Sequence, residues 1–201
     1  MLDGAARRLL SPTLDRLGAL LARAGATADQ VTYAGFAIGL VAAGAIAFRL
    51  YALGLVLLLL SRVCDGLDGA VARHTAKTDR GGFLDIVLDF AFYGGIPLGF
   101  VIADPAANGI AGATLILSFY VNGATFLAYA IFAEKRKLAT EARGPKSLYF
   151  TTGLAEATET IVVFCLFCLF PADFAPLAYI FAALTFVTAA ARIALAVKVF
   201  C

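Results

Sequence analysis

The sequence predicts an all-α, polytopic membrane protein: six transmembrane helices preceded by an amphipathic helix at the membrane surface. Of its 201 residues, 62% are hydrophobic and only 15% are charged, and the mean hydropathy is +0.90. This composition is typical of a membrane protein rather than of a soluble domain of the same length. The apolar residues fall into six runs of about 20 residues, the length that crosses a bilayer core as a helix. We predict these spans at 29–48, 51–72, 82–102, 109–133, 155–171 and 175–198.

Residues 1–26 differ from the later segments because four arginines are spread among their apolar residues. One apolar stripe is formed at helical spacing by four leucines, at positions 10, 14, 17 and 21. Ser11-Pro12 is typical of a helix start and Gly25 of a helix end. The segment therefore predicts an amphipathic, juxtamembrane helix on an anionic membrane surface. An arginine-rich transit peptide is the less favoured alternative, because the segment also holds two aspartates.

The basic residues lie mainly in alternate connections between the predicted spans. On the side of both termini we expect Arg7, Arg8, Arg16, Arg23, Arg73, Lys77, Arg80, Lys135, Arg136, Lys137, Arg143 and Lys146. The other side holds Arg49 as its basic residue, together with Asp104 and Asp173. The positive-inside rule then predicts that both termini face the cytoplasm, in a cytoplasmic or inner membrane. The formal net charge of only +2 gives no reason to expect a nucleic-acid partner.

Four aspartates lie within or beside the second and third predicted spans. Asp65 and Asp68 are three residues apart, and Asp85 and Asp89 are four apart, so each pair shares one face of a helix. If the two helices meet at the polar loop 73–81, the pairs come together and their charges repel strongly. Hard divalent cations relieve such repulsion, and oxygen ligands suit Mg²⁺, Mn²⁺ or Ca²⁺. An ordinary hydrated helix end would not explain a carboxylate pair in both spans.

The same stretch carries a long motif. Asp65-x-x-Asp68-Gly69-x-x-Ala72-Arg73, followed by Gly81-x-x-x-Asp85-x-x-x-Asp89, resembles the signature of the CDP-alcohol phosphatidyltransferases, D-x2-D-G-x2-A-R-x8-G-x3-D-x3-D. One departure is that seven residues, not eight, separate Arg73 from Gly81, so the loop is one residue shorter. The segment 27–32, TADQVT, is similar to the T-P-N-x-[LIV]-T motif that begins the first span in this family. The resemblance covers nearly the whole chain and predicts a single domain over 1–201.

The resemblance implies a reaction and roles for the motif residues. A CDP-diacylglycerol-type lipid donor would react with a small alcohol or a phosphorylated alcohol, giving a phosphodiester-linked lipid and CMP. It implies two Mg²⁺ or Mn²⁺ ions, with Ca²⁺ as a surrogate, bound by Asp65, Asp68, Asp85 and Asp89. Asp89 would also be the catalytic base. The donor-binding set would be Thr32, Asp65, Asp68, Gly69, Ala72, Arg73 and Gly81. A homodimer in the lipid bilayer is a further family-level expectation.

The acceptor alcohol is less well defined by the sequence. Candidate acceptor-binding residues are Lys135, Arg136, Lys146 and Arg192, although the first three also suit an ordinary positive-inside loop. Arg192 lies within the sixth apolar run, where a charge should face a cavity or reach toward the interface. Phe90 follows the last aspartate where some relatives that make phosphatidylglycerol phosphate carry lysine, which disfavours that product. Phosphatidylinositol phosphate and phosphatidylserine remain open.

Two alternatives to an active enzyme follow from the same residues. The four aspartates could line the ion pathway of a transporter or channel, or the shorter loop could mark an inactive structural homologue. A pathway should place polar groups at several depths, whereas the carboxylates here cluster at one interface and no inverted repeat is evident. The retention of all four aspartates argues against an inactive homologue.

Overall fold

A computed structural model describes residues 3–137 and 157–200, and every regular element in these ranges is helical. The helices are α1 (Asp3–Arg23), α2 (Ala28–Ala47), α3 (Tyr51–His74), α4 (Asp79–Ala103), α5 (Pro105–Lys135), α6 (Ala157–Leu169) and α7 (Phe174–Phe200), with a 3₁₀ turn at Pro171–Asp173 before α7. The predicted all-α class is confirmed. The six predicted apolar runs correspond to α2–α7, with bounds that differ by a few residues.

Within the described ranges, four segments are long and apolar enough to cross a membrane. They are Ala28–Ala47, Asp79–Ala103, Pro105–Lys135 and Pro171–Phe200. Charged residues interrupt the second half of α3, and α6 has only 13 described residues. Large apolar side chains such as Ile102 and Ile110 are exposed on the outside of the bundle, as expected for contact with lipid. The count of six spans therefore remains a prediction, whereas the membrane-spanning character is clear.

Helix α1 begins earlier than the sequence predicted. It starts at Asp3, and Pro12 lies inside it rather than at its first turn. Proline removes one backbone hydrogen bond, but its fixed φ is compatible with a helix, so the chain continues through this position. The predicted end is correct. Gly25 has a φ of +85°, which favours glycine, and the Ala26 N–H donates to the Leu21 carbonyl at 3.0 Å.

Helix α1 packs closely against the second half of α3. A Cβ atom on Gly18 would lie 2.6 Å from the Ala70 Cβ atom, so this contact requires glycine. Nearby, the Arg73 guanidinium forms an ion pair with Asp15 at 2.5 Å, and both side chains are about half exposed. The amphipathic helix is thus fixed beside the aspartate motif. Its position at the membrane surface remains a prediction.

The apolar core continues the helix face that carries the aspartates. On α4, Asp85 and Asp89 are followed at helical spacing by buried Phe92, Ile96 and Phe100. The Phe100 ring stacks on Phe174 of α7 with 4.7 Å between ring centroids, and α6 adds Phe164 and Phe167. This aromatic cluster fixes α4 against its neighbours. The two carboxylates therefore project from a helix whose orientation is set by the core.

Candidate metal centre and active site

The two halves of the motif meet because the connection between α3 and α4 is short. Only residues 75–78 lie between the helices, so the polar loop predicted at 73–81 is mostly helical. The Thr75 N–H donates to the Val71 carbonyl at the end of α3, and the Thr78 hydroxyl accepts from the Gly81 N–H at the start of α4. Such capping satisfies backbone groups at both helix ends. Helix α2 packs along both helices and completes the recess.

The sequence predicted that all four aspartates come together as metal ligands, and the structure groups three of them, Asp65, Asp68 and Asp85. Asp65, Asp68 and Asp85 each offer a carboxylate oxygen, and these oxygens lie within 4.8 Å of one another. Oxygens that share a divalent ion at 2.0 to 2.6 Å lie no more than about 5 Å apart, so the set fits a hard cation. Asp68 is buried, Asp65 is half-buried and Asp85 is exposed. The cluster is therefore accessible from one side.

Both oxygens of Asp68 are held by hydrogen bonds. The Thr32 hydroxyl of α2 donates to Oδ2 at 2.6 Å, and the Gly69 N–H donates to Oδ1 at 2.6 Å. Thr32 is positioned because α2 begins with a capping box, in which Thr27 and Gln30 satisfy each other's backbone N–H groups. Thr32, predicted as donor-binding, thus orients a predicted metal ligand. Partners of this kind fix the geometry of a ligand and tune the ion that it binds.

Asp89 lies outside the three-aspartate cluster and is paired with an arginine. The Arg62 Nη1 atom donates to Asp89 Oδ1 at 2.5 Å and lies 3.3 Å from Asp65 Oδ1. The guanidinium carbon lies 3.7 Å from the centroid of the Phe92 ring, and the side chain is 9% exposed. Sequence reasoning did not assign Arg62 to the site. The available signal was an arginine in an apolar run, three residues before Asp65.

The remaining predicted donor-binding residues, Gly69, Ala72, Arg73 and Gly81, are not among the residues that line this recess. Arg73 points to α1, where it pairs with Asp15, and Ala72 beside it is half-buried. Gly69 has open space in front of it, since the nearest atom to an added Cβ would be an Arg73 nitrogen at 3.7 Å. Gly81 is in the first turn of α4, and an added Cβ would lie 3.3 Å from an Asp29 oxygen.

The predicted acceptor-binding residues have other contacts. Arg192 Nη1 donates to the Asn122 carbonyl at 3.0 Å, to the Asn122 side-chain oxygen at 2.9 Å and to the Thr125 hydroxyl at 3.1 Å. Arg136 donates to the Phe200 carbonyl at 2.7 Å, at the end of α7. Lys135 is exposed at the end of α5, and Lys146 lies outside the described residues. Arg136 and Arg192 therefore join α5 to α7, and neither lines the described recess.

The chain belongs to the CDP-alcohol phosphatidyltransferase family, whose sequence model matches residues 25–197. It is 45% identical over 193 residues to the inner membrane protein YnjF of Escherichia coli, covering 96% of this chain and 94% of that protein. It is 31% identical over 160 residues to the archaetidylinositol phosphate synthase of Pyrococcus horikoshii, covering 79% of this chain and 78% of that protein.

Solved structures share the fold. The phosphatidylinositol phosphate synthase of Mycobacterium tuberculosis in complex with manganese and citrate matches with a TM-score of 0.66 at 20% identity, over 91% of this chain and 88% of that one. The same enzyme with CDP-DAG bound matches with a TM-score of 0.57 at 22% identity, over 92% and 90% of the two chains. At these identities the likeness concerns the fold alone.

Membership in this family favours the enzyme over the transporter or channel that the sequence left open as an alternative. The protein is an integral membrane transferase of phospholipid biosynthesis, and the resemblance noted in its motif is confirmed. An ion pathway lined by the aspartates is disfavoured, because three of them converge on one point at one end of α3 and α4.

Proposed function

We propose that this protein transfers a phosphatidyl group from CDP-diacylglycerol, or a similar CDP-linked lipid, to a small alcohol and releases CMP. The observation that carries the proposal is the convergence of Asp65, Asp68 and Asp85, with Asp89 one turn beyond Asp85 on the same face of α4. The recess is formed by α2, α3 and α4 at the end where the short α3–α4 connection lies. A nucleotide can sit in water there while the acyl chains of the donor remain in lipid.

Asp65, Asp68 and Asp85 would hold Mg²⁺ or Mn²⁺. A divalent ion bound there supplies positive charge to the diphosphate and stabilises CMP as the leaving group. Thr32 and Gly69 keep Asp68 in place for this task. The chemistry of the three metal ligands supports the assignment. All three are carboxylates, and oxygen ligands suit a hard cation.

Asp89 would be the base that takes the proton of the acceptor hydroxyl. The acceptor oxygen forms a new bond to the lipid-side phosphorus, the bond from that phosphorus to the bridging oxygen breaks, and CMP leaves with the electron pair. The proton goes to the Asp89 carboxylate. Positioned acid–base groups of this kind contribute about 100- to 10,000-fold to a rate.

The acceptor is proposed to be a phosphorylated polyol such as an inositol phosphate. The observation that supports this choice is that two relatives are named archaetidylinositol phosphate synthase. Phe90, directly after the last aspartate, packs against Gly123 of α5. An apolar packing residue at this position fits the expectation that glycerol phosphate is not the acceptor.

The orientation and assembly of the protein remain part of the proposal. Arg73, Arg80 and Lys135 lie at the end of the bundle that carries the aspartates, whereas Arg49 lies at the other end, where it donates to the Ala103 carbonyl. The positive-inside rule then places the site and both termini at the cytoplasmic face. A homodimer is expected from the family resemblance only.

The test uses the purified full chain in lipid nanodiscs with CDP-diacylglycerol and Mn²⁺. Inositol 1-phosphate, glycerol 3-phosphate, inositol and serine are supplied separately, and CMP release and product mass are followed. We expect CMP with inositol 1-phosphate, and a loss of at least about 100-fold in Asp89→Asn with donor binding retained. Asp68→Asn should lose both donor binding and turnover. Wild-type turnover in Asp89→Asn would refute its role, and absence of CMP with every acceptor would refute the proposed function.

A further inference from the structure

We propose that the contact between Phe90 and Gly123 positions the α4 half of the site, so that both act as positioning residues for Asp85 and Asp89. This inference rests on the proposed function and deepens it, because it assigns a role to residues outside the aspartate motif. A Cβ atom added to Gly123 would lie 2.0 Å from Phe90 Cε1 and 2.6 Å from Cζ. The edge of the ring therefore lies directly against the α5 backbone, closer than any larger residue allows without movement.

Phe90 follows Asp89 directly, and its ring lies on the side of α4 that faces α5. On another side of the helix, Phe92 packs against α2, where a Cβ atom added to Gly39 would lie 2.7 Å from Phe92 Cδ2. Two rings within three residues of Asp89 thus contact two different neighbouring helices. Together they prevent α4 from turning about its axis at this point. The Asp89 carboxylate is therefore kept directed towards the recess.

The part of α5 that carries Gly123 is itself held in place. One turn earlier, the centroid of the Phe119 ring lies 6.3 Å from that of Tyr93 of α4 and 6.0 Å from that of Phe181 of α7. Phe119 and Tyr93 pack against the aromatic core, whereas Phe90 is 38% exposed. Phe90 thus extends the contact between α4 and α5 beyond the core, to the end of the helices that carries the carboxylates.

Alanine at position 123 would disturb this contact. The distance from its Cβ atom to the Phe90 ring must increase from 2.0 Å to an ordinary van der Waals separation of 3.4 Å. Either the ring swings out or α4 moves away from α5, and in both cases α4 loses support beside Asp89. A displacement of about 1 Å can lower a rate about 100-fold. A shift of Asp85 on the same helix would also weaken ion binding, because metal–ligand distances vary by only about 0.2 Å.

The same pair of helices provides a matched control at a distance from the site. A Cβ atom added to Gly112 of α5 would lie 2.2 Å from Val101 Cγ2 of α4, and Gly112 and Gly123 are both buried. Val101 is twelve positions beyond Asp89, or about 18 Å along the helix. Alanine at either glycine should therefore disturb the packing of α4 on α5, but only position 123 lies beside the carboxylates.

The experiment compares Gly123→Ala with Gly112→Ala in the purified full chain in lipid nanodiscs. The melting temperature, the Mn²⁺ affinity by electron paramagnetic resonance, and CMP release from CDP-diacylglycerol with inositol 1-phosphate at saturating Mn²⁺ are measured. We expect both variants to melt at a lower temperature than the wild type. Only Gly123→Ala should weaken Mn²⁺ binding about 3- to 10-fold and lower kcat about 10- to 100-fold, with the acceptor KM within about 2-fold of the wild type.

A second substitution tests whether the effect passes through the ring. Leucine lacks the Cε1 and Cζ atoms that come closest to position 123, so it leaves room for the added methyl group. The double variant Gly123→Ala/Phe90→Leu should recover kcat and Mn²⁺ affinity to within about 3-fold of Phe90→Leu alone. If Gly123→Ala does not fold, Phe90→Ala removes the contact without a clash and should change both quantities in the same direction, whereas Val101→Ala should not.

The outcomes separate this inference from the proposed function. Equal kcat and equal Mn²⁺ affinity in Gly123→Ala and Gly112→Ala would overturn the inference, because the contact would then serve packing alone. A defect in Gly123→Ala that Phe90→Leu does not reverse would overturn it as well, and so would wild-type values in Phe90→Ala. A wild-type protein that binds Mn²⁺ but releases no CMP would instead contradict the proposed function. The Mn²⁺ affinities of the two alanine variants would then decide the inference without turnover.

Discussion

Replacing Thr32 with valine tests whether the candidate metal site depends on a residue that does not itself bind the ion. The Thr32 hydroxyl donates to Asp68 Oδ2 at 2.6 Å, and the two residues are 9% and 6% exposed. Valine keeps the shape of the side chain but removes the donor, and water has little access to replace it. Asp68 would keep the bond from the Gly69 N–H but lose the one that fixes its second oxygen.

The expected magnitude follows from the charge on the acceptor. A hydrogen bond to a charged group contributes about 1.5 to 3 kcal/mol. If this hydrogen-bond energy is lost from the Mn²⁺-bound protein, Mn²⁺ binding weakens about 10- to 100-fold. This is the range known for residues that hydrogen-bond to metal ligands. The assay is a Mn²⁺ titration of Thr32→Val, followed by CMP release at saturating Mn²⁺. We expect a raised dissociation constant for the ion and partial recovery of turnover at high Mn²⁺.

Two further variants serve as controls for this prediction. Thr32→Ser retains the hydroxyl and should bind Mn²⁺ within about 3-fold of the wild type, since it restores the hydrogen bond. Thr114→Val removes a hydroxyl that donates to the Ile110 carbonyl within α5, and should leave ion binding unchanged. Equal Mn²⁺ affinity in Thr32→Val and the wild type would contradict this prediction. It would show that Asp68 binds the ion without the hydrogen bond from the Thr32 hydroxyl of α2.

Two further predictions concern packing between helices. Arg192→Ala should lower the free energy of unfolding by about 1 to 3 kcal/mol, because the Asn122 side-chain oxygen loses the Arg192 donor. The acceptor KM should stay unchanged. Thermal melts and steady-state kinetics check this, and a raised KM would restore Arg192 as an acceptor residue. Gly18→Ala should cost about 1 to 3 kcal/mol, because its Cβ would lie 2.9 Å from the Ala70 backbone. The matched variant Gly44→Ala meets no atom within 4 Å and should stabilise α2 by up to about 1 kcal/mol. Equal melting temperatures for the two alanine variants would refute the close contact of α1 with α3.

Much of the fold could be predicted because the relevant signals are local. Hydrophobic runs, helix caps and charged connections lie within a few residues of the boundaries that they set. Apart from the start of α1, the helices begin and end close to the predicted positions. The convergence of Asp65, Asp68 and Asp85 was also predictable. Helical spacing places each aspartate pair on one face, and a short connection brings the two faces together.

Contacts between distant segments could not be predicted in the same way. Thr32 and Asp68 are 36 positions apart, and their hydrogen bond depends on how α2 lies along α3. Arg192 illustrates the same difficulty: a charge in an apolar run can face a substrate, reach the interface or bond to a neighbouring helix. Its partner Asn122 is 70 positions away, so the spacing of charges along α7 alone could not distinguish these cases.

The one-residue departure from the family signature shows why some differences in sequence leave the site intact. Helix α3 continues through His74 and α4 begins at Asp79, so the shorter spacing falls on the 75–78 connection, between capped helix ends. The aspartate pairs lie inside the helices, where their spacing is fixed by the helical repeat. Their mutual approach is set by the packing of α2 along α3 and α4 and by the aromatic core beyond Asp89. Loop length can therefore vary by a residue while the three-carboxylate geometry is retained.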